Sequence, residues 1–116
     1  MRISFDFDST LSELSMQNLC KILKLAGADI FIITARCHCA VSDNRDLFNL
    51  AIELNILREN IYFTCEEYKY KKIKQLQIDL HFDDMEDEVL EINQNGGNAL
   101  LFGLKDISEL SYLFNI

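Results

Sequence analysis

The chain has 116 residues, 49% of them apolar, and a formal net charge of −8. That length bounds it at a single domain over 1–116, and the acidic balance argues against a surface built for general nucleic-acid or anionic-membrane binding, which needs clustered Lys and Arg. Arg2-Ile3-Ser4-Phe5 leads straight into acidic residues and no apolar run approaches the ~20 residues that span a bilayer, so a cytoplasmic setting is expected, with Cys20, Cys37, Cys39 and Cys65 as reduced thiols.

The first apolar run, Ile3 to Phe7, has strand length. Leu14, Leu19, Ile22, Leu23 and Leu25 then share one helical face, with Ser12 placed to cap the helix and Gly27 to end it. A second strand runs from Ile30 to Ile33, followed by helically spaced Leu47, Leu50, Ala51 and Leu54. Ile61 to Phe63 is the third strand, with Ile73 and Leu76 marking a helix after it. Leu80 to Phe82 is the fourth, followed by Val89, Leu90 and Ile92 before Gly96-Gly97. Ala99 to Phe102 is the fifth, and Ile107, Leu110, Leu113 and Phe114 suit a closing helix. Strict alternation of strand and helix predicts an α/β, Rossmann-like three-layer sandwich: a five-stranded parallel sheet with right-handed crossovers and helices on both faces.

Ligands of such sheets bind beyond the carboxyl ends of the strands. Those ends carry Asp6 and Asp8, Thr34 and Arg36, Cys65 and Glu66, then Asp83 and Asp84. Carboxylates gathered without compensating bases repel one another and lose hydration, a cost that a metal or catalysis offsets. An all-oxygen donor set with no histidine in register favours Mg²⁺ over zinc.

Asp6-Phe7-Asp8-Ser9-Thr10-Leu11 resembles the DxDxT signature of the haloacid dehalogenase-like hydrolase superfamily. Ile33-Thr34-Ala35-Arg36 resembles its second motif, and Phe82-Asp83-Asp84 its acidic fourth. The third motif is a lysine, for which Lys69, Lys71, Lys72 and Lys74 compete. At ~100° per residue, Lys69 falls about 40° from Ile73 and 20° from Leu76, on the apolar face, whereas Lys71 points about 160° from Ile73. Lys69 also begins the helix at the sheet's carboxyl edge; Lys72 ranks second. Ser9 departs from the glycine many members carry there, a costlier choice if the turn needs positive φ.

The resemblance implies sheet order 3-2-1-4-5 and a phosphatase in which Asp6 attacks phosphorus to form an aspartyl-phosphate, with Asp8 as acid and then base. It further implies that Thr34 and Lys69 stabilise the phosphoryl group, with Ala35 and Arg36 beside them in substrate binding. Mg²⁺ would be held by the Asp6 carboxylate, the Asp8 carbonyl and Asp83, with Asp84 or Asp87 orienting metal-bound water.

Neither interval in which this superfamily inserts a cap domain is long enough for one, so the site is expected to be open. Two substrate classes remain, a small phosphomonoester and a phosphate on a nucleic-acid end or protein; Tyr68-Lys69-Tyr70-Lys71-Lys72 could serve a strand end or be a solvated helix face. A catalytically inactive module that binds phosphate or a partner is the remaining functional alternative. Cys37-His38-Cys39 with Cys65 is a poor zinc pattern. Arg36 either binds substrate phosphate or pairs with local carboxylates. His81 reads as a packed or partly exposed strand side chain, and Asp43, Asn44, Arg45 and Asp46 as a helix entry. The sequence leaves the oligomeric state open.

Overall fold

The computed structural model describes residues 1–39 and 41–102, apart from the side chains of Val41 and Ser42. The strands are β1 (Arg2–Phe5), β2 (Asp29–Thr34), β3 (Ile61–Phe63), β4 (Leu80–Asp83) and β5 (Ala99–Leu101). The helices between them are α1 (Leu14–Leu25), α2 (Arg45–Glu53), α3 (Tyr70–Gln75) and α4 (Glu86–Gln94). All pairings are parallel, in the order β3-β2-β1-β4-β5, as expected. The closing helix expected around Ile107, Leu110, Leu113 and Phe114 lies outside the described residues. Among those described, no helix is long and apolar enough to cross a membrane.

Side-chain alternation along the central strands builds two apolar layers. Ile3 and Phe5 of β1 and Phe82 of β4 face α1 and α2, joining Leu19, Leu23, Leu47 and Ala51. Phe31 and Ile33 of β2 face the other way, toward Ile73 of α3 and Ile92 of α4. A buried core side chain contributes roughly 1.5–3 kcal/mol, and these two layers fix the height at which each strand ends.

Helix α1 departs from the face read in the sequence. Leu19 and Leu23 are buried as expected, but Met16 and Cys20 complete the stripe, while Leu14, Ile22 and Leu25 are exposed. Positions 16, 19, 20 and 23 follow the three- and four-residue spacing of a helix on a sheet, which the leucine-rich composition of α1 obscures. Ser12 does not cap the helix either. Its Oγ accepts the Ser9 N–H at 3.0 Å, closing the preceding turn, and α1 starts one residue later after Glu13. Gly27 does end it, at φ 93°.

Two of the cysteines form a disulfide, contrary to the expectation of reduced thiols. Cys37 follows β2 and Cys65 follows β3, and their Cα atoms lie 4.2 Å apart. Adjacent parallel strands bring the two loops together from 28 residues apart in sequence, a proximity with no local signal. Cys20 is a buried thiol and Cys39 an exposed one. Backbone hydrogen bonds reinforce the junction, from Cys65 N–H to Arg36 O at 3.1 Å and from Glu66 N–H to Ala35 O at 2.7 Å. Cys65 and Glu66 both adopt positive φ, 52° and 66°.

By chain entropy, a bridge closing a loop of this size stabilises by about 3–4 kcal/mol. The double variant Cys37→Ser/Cys65→Ser is therefore expected to lose about that much in urea unfolding without reductant. Equal midpoints and slopes for the two proteins would show that the bridge does not constrain the unfolded chain.

Candidate metal centre

Asp6 leaves β1 at the central position of the sheet. Its N–H donates to Phe82 O of β4 at 2.9 Å, and its carbonyl accepts Leu11 N–H at 3.1 Å, so it is pinned between the neighbouring strand and the next turn. That turn buries Phe7, Thr10 and Leu11 and carries Ser9 at φ 57°. The condition left open for position 9 is thus met: the turn takes the left-handed conformation there, and serine adopts it at a cost that glycine avoids.

Asp83 ends β4 two residues past His81, on the same face of the strand. Its Oδ1 accepts Met85 N–H at 3.0 Å. Oδ2 lies 2.8 Å from His81 Nε2 and accepts Lys69 Nζ at 2.6 Å. Lys69 is 2% exposed and stands at the entry of α3, where it also donates to Asp6 Oδ1 at 2.9 Å. Its backbone N–H donates to Glu88 Oε1 of α4 at 3.1 Å, which ties the lysine to a second helix. The other candidates are not part of this cluster: Lys72 lies over the Tyr62 ring and donates to Gln75 Oε1.

One carboxylate oxygen each from Asp6, Asp83 and Asp84 lie within 4.8 Å of one another, a spacing that suits ligands of a single cation. Asp84 is partly buried, and its Oδ1 accepts Thr10 Oγ1–H at 3.4 Å. Asp87 is exposed and lies outside this group, though it lines the same cleft. Lys69 pairs with two of the three carboxylates, so with all three ionised the cluster would carry two net negative charges, which a bound cation would offset. Carboxylate oxygens are hard donors of the kind that bind hard metal cations.

The electrostatics show the cost of the cluster. Burial raises the Asp6 carboxyl to about 8, with Asp83 adding to the shift and Lys69 opposing it. Burial also works against charge on Asp83, but the His81 hydrogen bond and the Lys69 ammonium outweigh it and hold that carboxyl below its usual value. Lys69 is desolvated too, yet Asp6 and Asp83 keep it charged with a raised pKa.

Thr34 ends β2 and Arg36 follows two residues later; Ala35 between them lines the cleft, and neither of the two does. Thr34 is buried and its Oγ1 accepts Arg36 N–H at 3.2 Å; its carbonyl accepts Thr64 N–H at 2.8 Å. Arg36 grips Asp8 with two parallel bonds, Nε to Oδ2 at 3.0 Å and Nη2 to Oδ1 at 2.7 Å. A second fork reaches Asp46 at the start of α2, at 2.8 and 3.1 Å, and the guanidinium rests 4.9 Å from the centre of the Phe7 ring. Of the two roles open to Arg36, pairing with local carboxylates is the one observed. Asp8 is consequently held beside the carboxylate cluster, not in it. Asp46 does more than begin a helix, since the Arg36 hydrogen bonds also lower its pKa.

Asp6, Asp8, Ala35, Glu66, Lys69 and Asp84 all line one cleft of about 610 Å³. Cys37 and Cys65 are consumed by their disulfide and cannot be thiolate ligands, which removes the zinc pattern.

Sequence reasoning left Ser4, His81 and Glu88 without a role in the site. Ser4 and Asp6, like His81 and Asp83, are two apart on adjacent paired strands, so period-2 alternation was the available signal. Glu88 offered none, because its contact with Lys69 joins two helices. No protein-family model matches this chain, and no curated protein matches its sequence.

A carboxyl that stays protonated in the fold up to about pH 8, against 3.8 ordinarily, favours the metal-free native state less and less as pH rises through that window. The neutral isostere Asp6→Asn is therefore expected to stabilise the metal-free protein relative to the parent, and by more at pH 8 than at pH 5. Urea midpoints at the two pH values check this; a variant less stable at pH 8 contradicts it.

Proposed function

We propose that the chain is a Mg²⁺-dependent phosphohydrolase of the haloacid dehalogenase-like type, cleaving phosphomonoesters through an aspartyl-phosphate on Asp6. The observation that carries this reading is the meeting of Asp6, Asp83 and Asp84 oxygens within 4.8 Å, with Lys69 Nζ on two of the three residues. Asp6, Asp83 and Asp84 would hold the ion, which would keep Asp6 ionised and let it approach an anionic phosphate.

The remaining work belongs to side chains. Asp6 displaces the leaving oxygen in line, its carboxylate becoming an acyl phosphate. Asp8 gives the leaving oxygen a proton, then takes one from the water that cleaves the acyl phosphate. Arg36 holds that carboxylate at the cleft wall through two parallel bonds. Lys69 and the Thr34 hydroxyl stabilise charge on the transferring group.

An acidic rim favours a small phosphomonoester over a nucleic-acid end. Glu66, Asp84 and Asp87 line the cleft, and a polyanionic strand emerging past them meets repulsion that a small leaving group avoids.

Incubation with an artificial monoester is expected to release phosphate with Mg²⁺ and to stop with excess EDTA. Asp6→Asn is expected to lower the rate at least about a thousandfold, as removal of a nucleophile does. Full activity in EDTA would remove the ion from the account, and substantial turnover by Asp6→Asn would remove the nucleophile. Binding of Mg²⁺ and phosphate without turnover of any ester, across nucleotides, sugar phosphates, phosphopeptides and phosphorylated oligonucleotides, would identify the chain as an inactive binding module.

A further inference from the structure

Beneath the carboxylates lies a polar pair that neither the fold nor the chemistry above requires. Ser4 of β1 and His81 of β4 stand opposite each other in the parallel register, on the sheet face that packs against α3 and α4. Both are fully buried, at 0% exposure. Ser4 Oγ lies 2.7 Å from His81 Nδ1, and His81 Nε2 lies 2.8 Å from Asp83 Oδ2. Elsewhere on this face the sheet offers Phe31, Ile33 and Ala99 to the helices. Two apolar side chains would suit that layer at lower desolvation cost.

The geometry points to Ser4 and His81 as positioning residues for the metal: the serine hydroxyl fixes the imidazole so that Nε2–H donates to Asp83, setting that carboxylate's rotamer and ligand oxygen. The inference rests on the metal reading of the Asp6, Asp83 and Asp84 cluster and deepens it.

The assignment of donors follows from the partners. A neutral imidazole carries one proton and one lone pair, and its partners here are the Ser4 hydroxyl, which can donate, and the Asp83 carboxylate, which only accepts. A proton on Nε2 makes a hydrogen bond to the Asp83 carboxylate, while a proton on Nδ1 would set an Nε2 lone pair against an anion. Nδ1 therefore accepts, and Ser4 Oγ–H donates to it. Asp83 Oδ2 then holds two donors, His81 Nε2–H and Lys69 Nζ, which leaves Oδ1 to face a cation while also accepting Met85 N–H. Outer partners of this kind commonly alter metal affinity 10- to 100-fold when removed.

Mg²⁺ alone, titrated calorimetrically into the intact chain, tests the idea without any substrate. His81→Leu is expected to weaken Mg²⁺ binding by about 10- to 100-fold. His81→Gln, whose amide nitrogen can replace Nε2–H, is expected to recover most of that loss, and Ser4→Ala to give a smaller weakening. Circular dichroism establishes that each variant is folded. If His81→Leu does not fold, Ser4→Ala and the imidazole ¹⁵N spectrum of the parent carry the test, the spectrum being expected to show protonated Nε2 and bare Nδ1. Folded His81→Leu, or in its absence Ser4→Ala, binding as tightly as the parent overturns the inference, as does a parent spectrum with protonated Nδ1. A parent that binds no Mg²⁺ overturns the metal reading itself, so the two failures are distinct.

Discussion

A single ammonium group organises the sheet's carboxyl edge. Lys69 Nζ sits between Asp6 and Asp83, at 2.9 and 2.6 Å, with almost no solvent access. Without it, two carboxylates at the ends of adjacent central strands would face each other across a desolvated gap. Removing the cation from such a buried group, which leaves carboxylate charge uncompensated, typically costs about 3–5 kcal/mol. The requirement propagates outward: α3 must begin where the lysine can turn inward, and Glu88 of α4 secures its backbone.

The neutralisation is incomplete. Asp84 brings a third carboxylate with no ammonium of its own, and burial leaves Asp6 with a strongly raised pKa. A protein selected for stability alone would dispense with this excess charge. Its retention, together with Ser9 held at positive φ in the turn beyond Asp6, follows the pattern in which functional sites carry strain that the surrounding structure outweighs.

The rim of the cleft is stiffened separately. Bidentate bonds from Arg36 tie Asp8 to Asp46, and the Cys37–Cys65 disulfide ties the loop after β2 to the loop after β3. The segments that carry Thr34 to Arg36 and Glu66 to Lys69 are thereby linked covalently and by backbone hydrogen bonds. Preorganisation of this sort keeps polar groups aimed at a ligand without paying for their ordering on binding.

Local rules carried the reading as far as the strand ends. Apolar runs of strand length and helical spacing located five parallel strands, and the carboxyl-end rule selected Asp6, Asp8, Thr34, Arg36, Cys65, Glu66, Asp83 and Asp84, which lie at or just past the ends of β1 to β4. Helix phase was enough to single out Lys69, because one apolar face dictates which lysine turns inward. Long-range contacts were invisible to such rules. The disulfide spans 28 residues and the Lys69 to Glu88 bond joins two helices, so neither leaves a periodic trace in the chain. The buried face of α1 was misread because leucines line several sides of that helix and only the sheet beneath it chooses among them. The amino-acid pattern decides which residues end each strand; packing decides which side chains then meet and what charge each can keep.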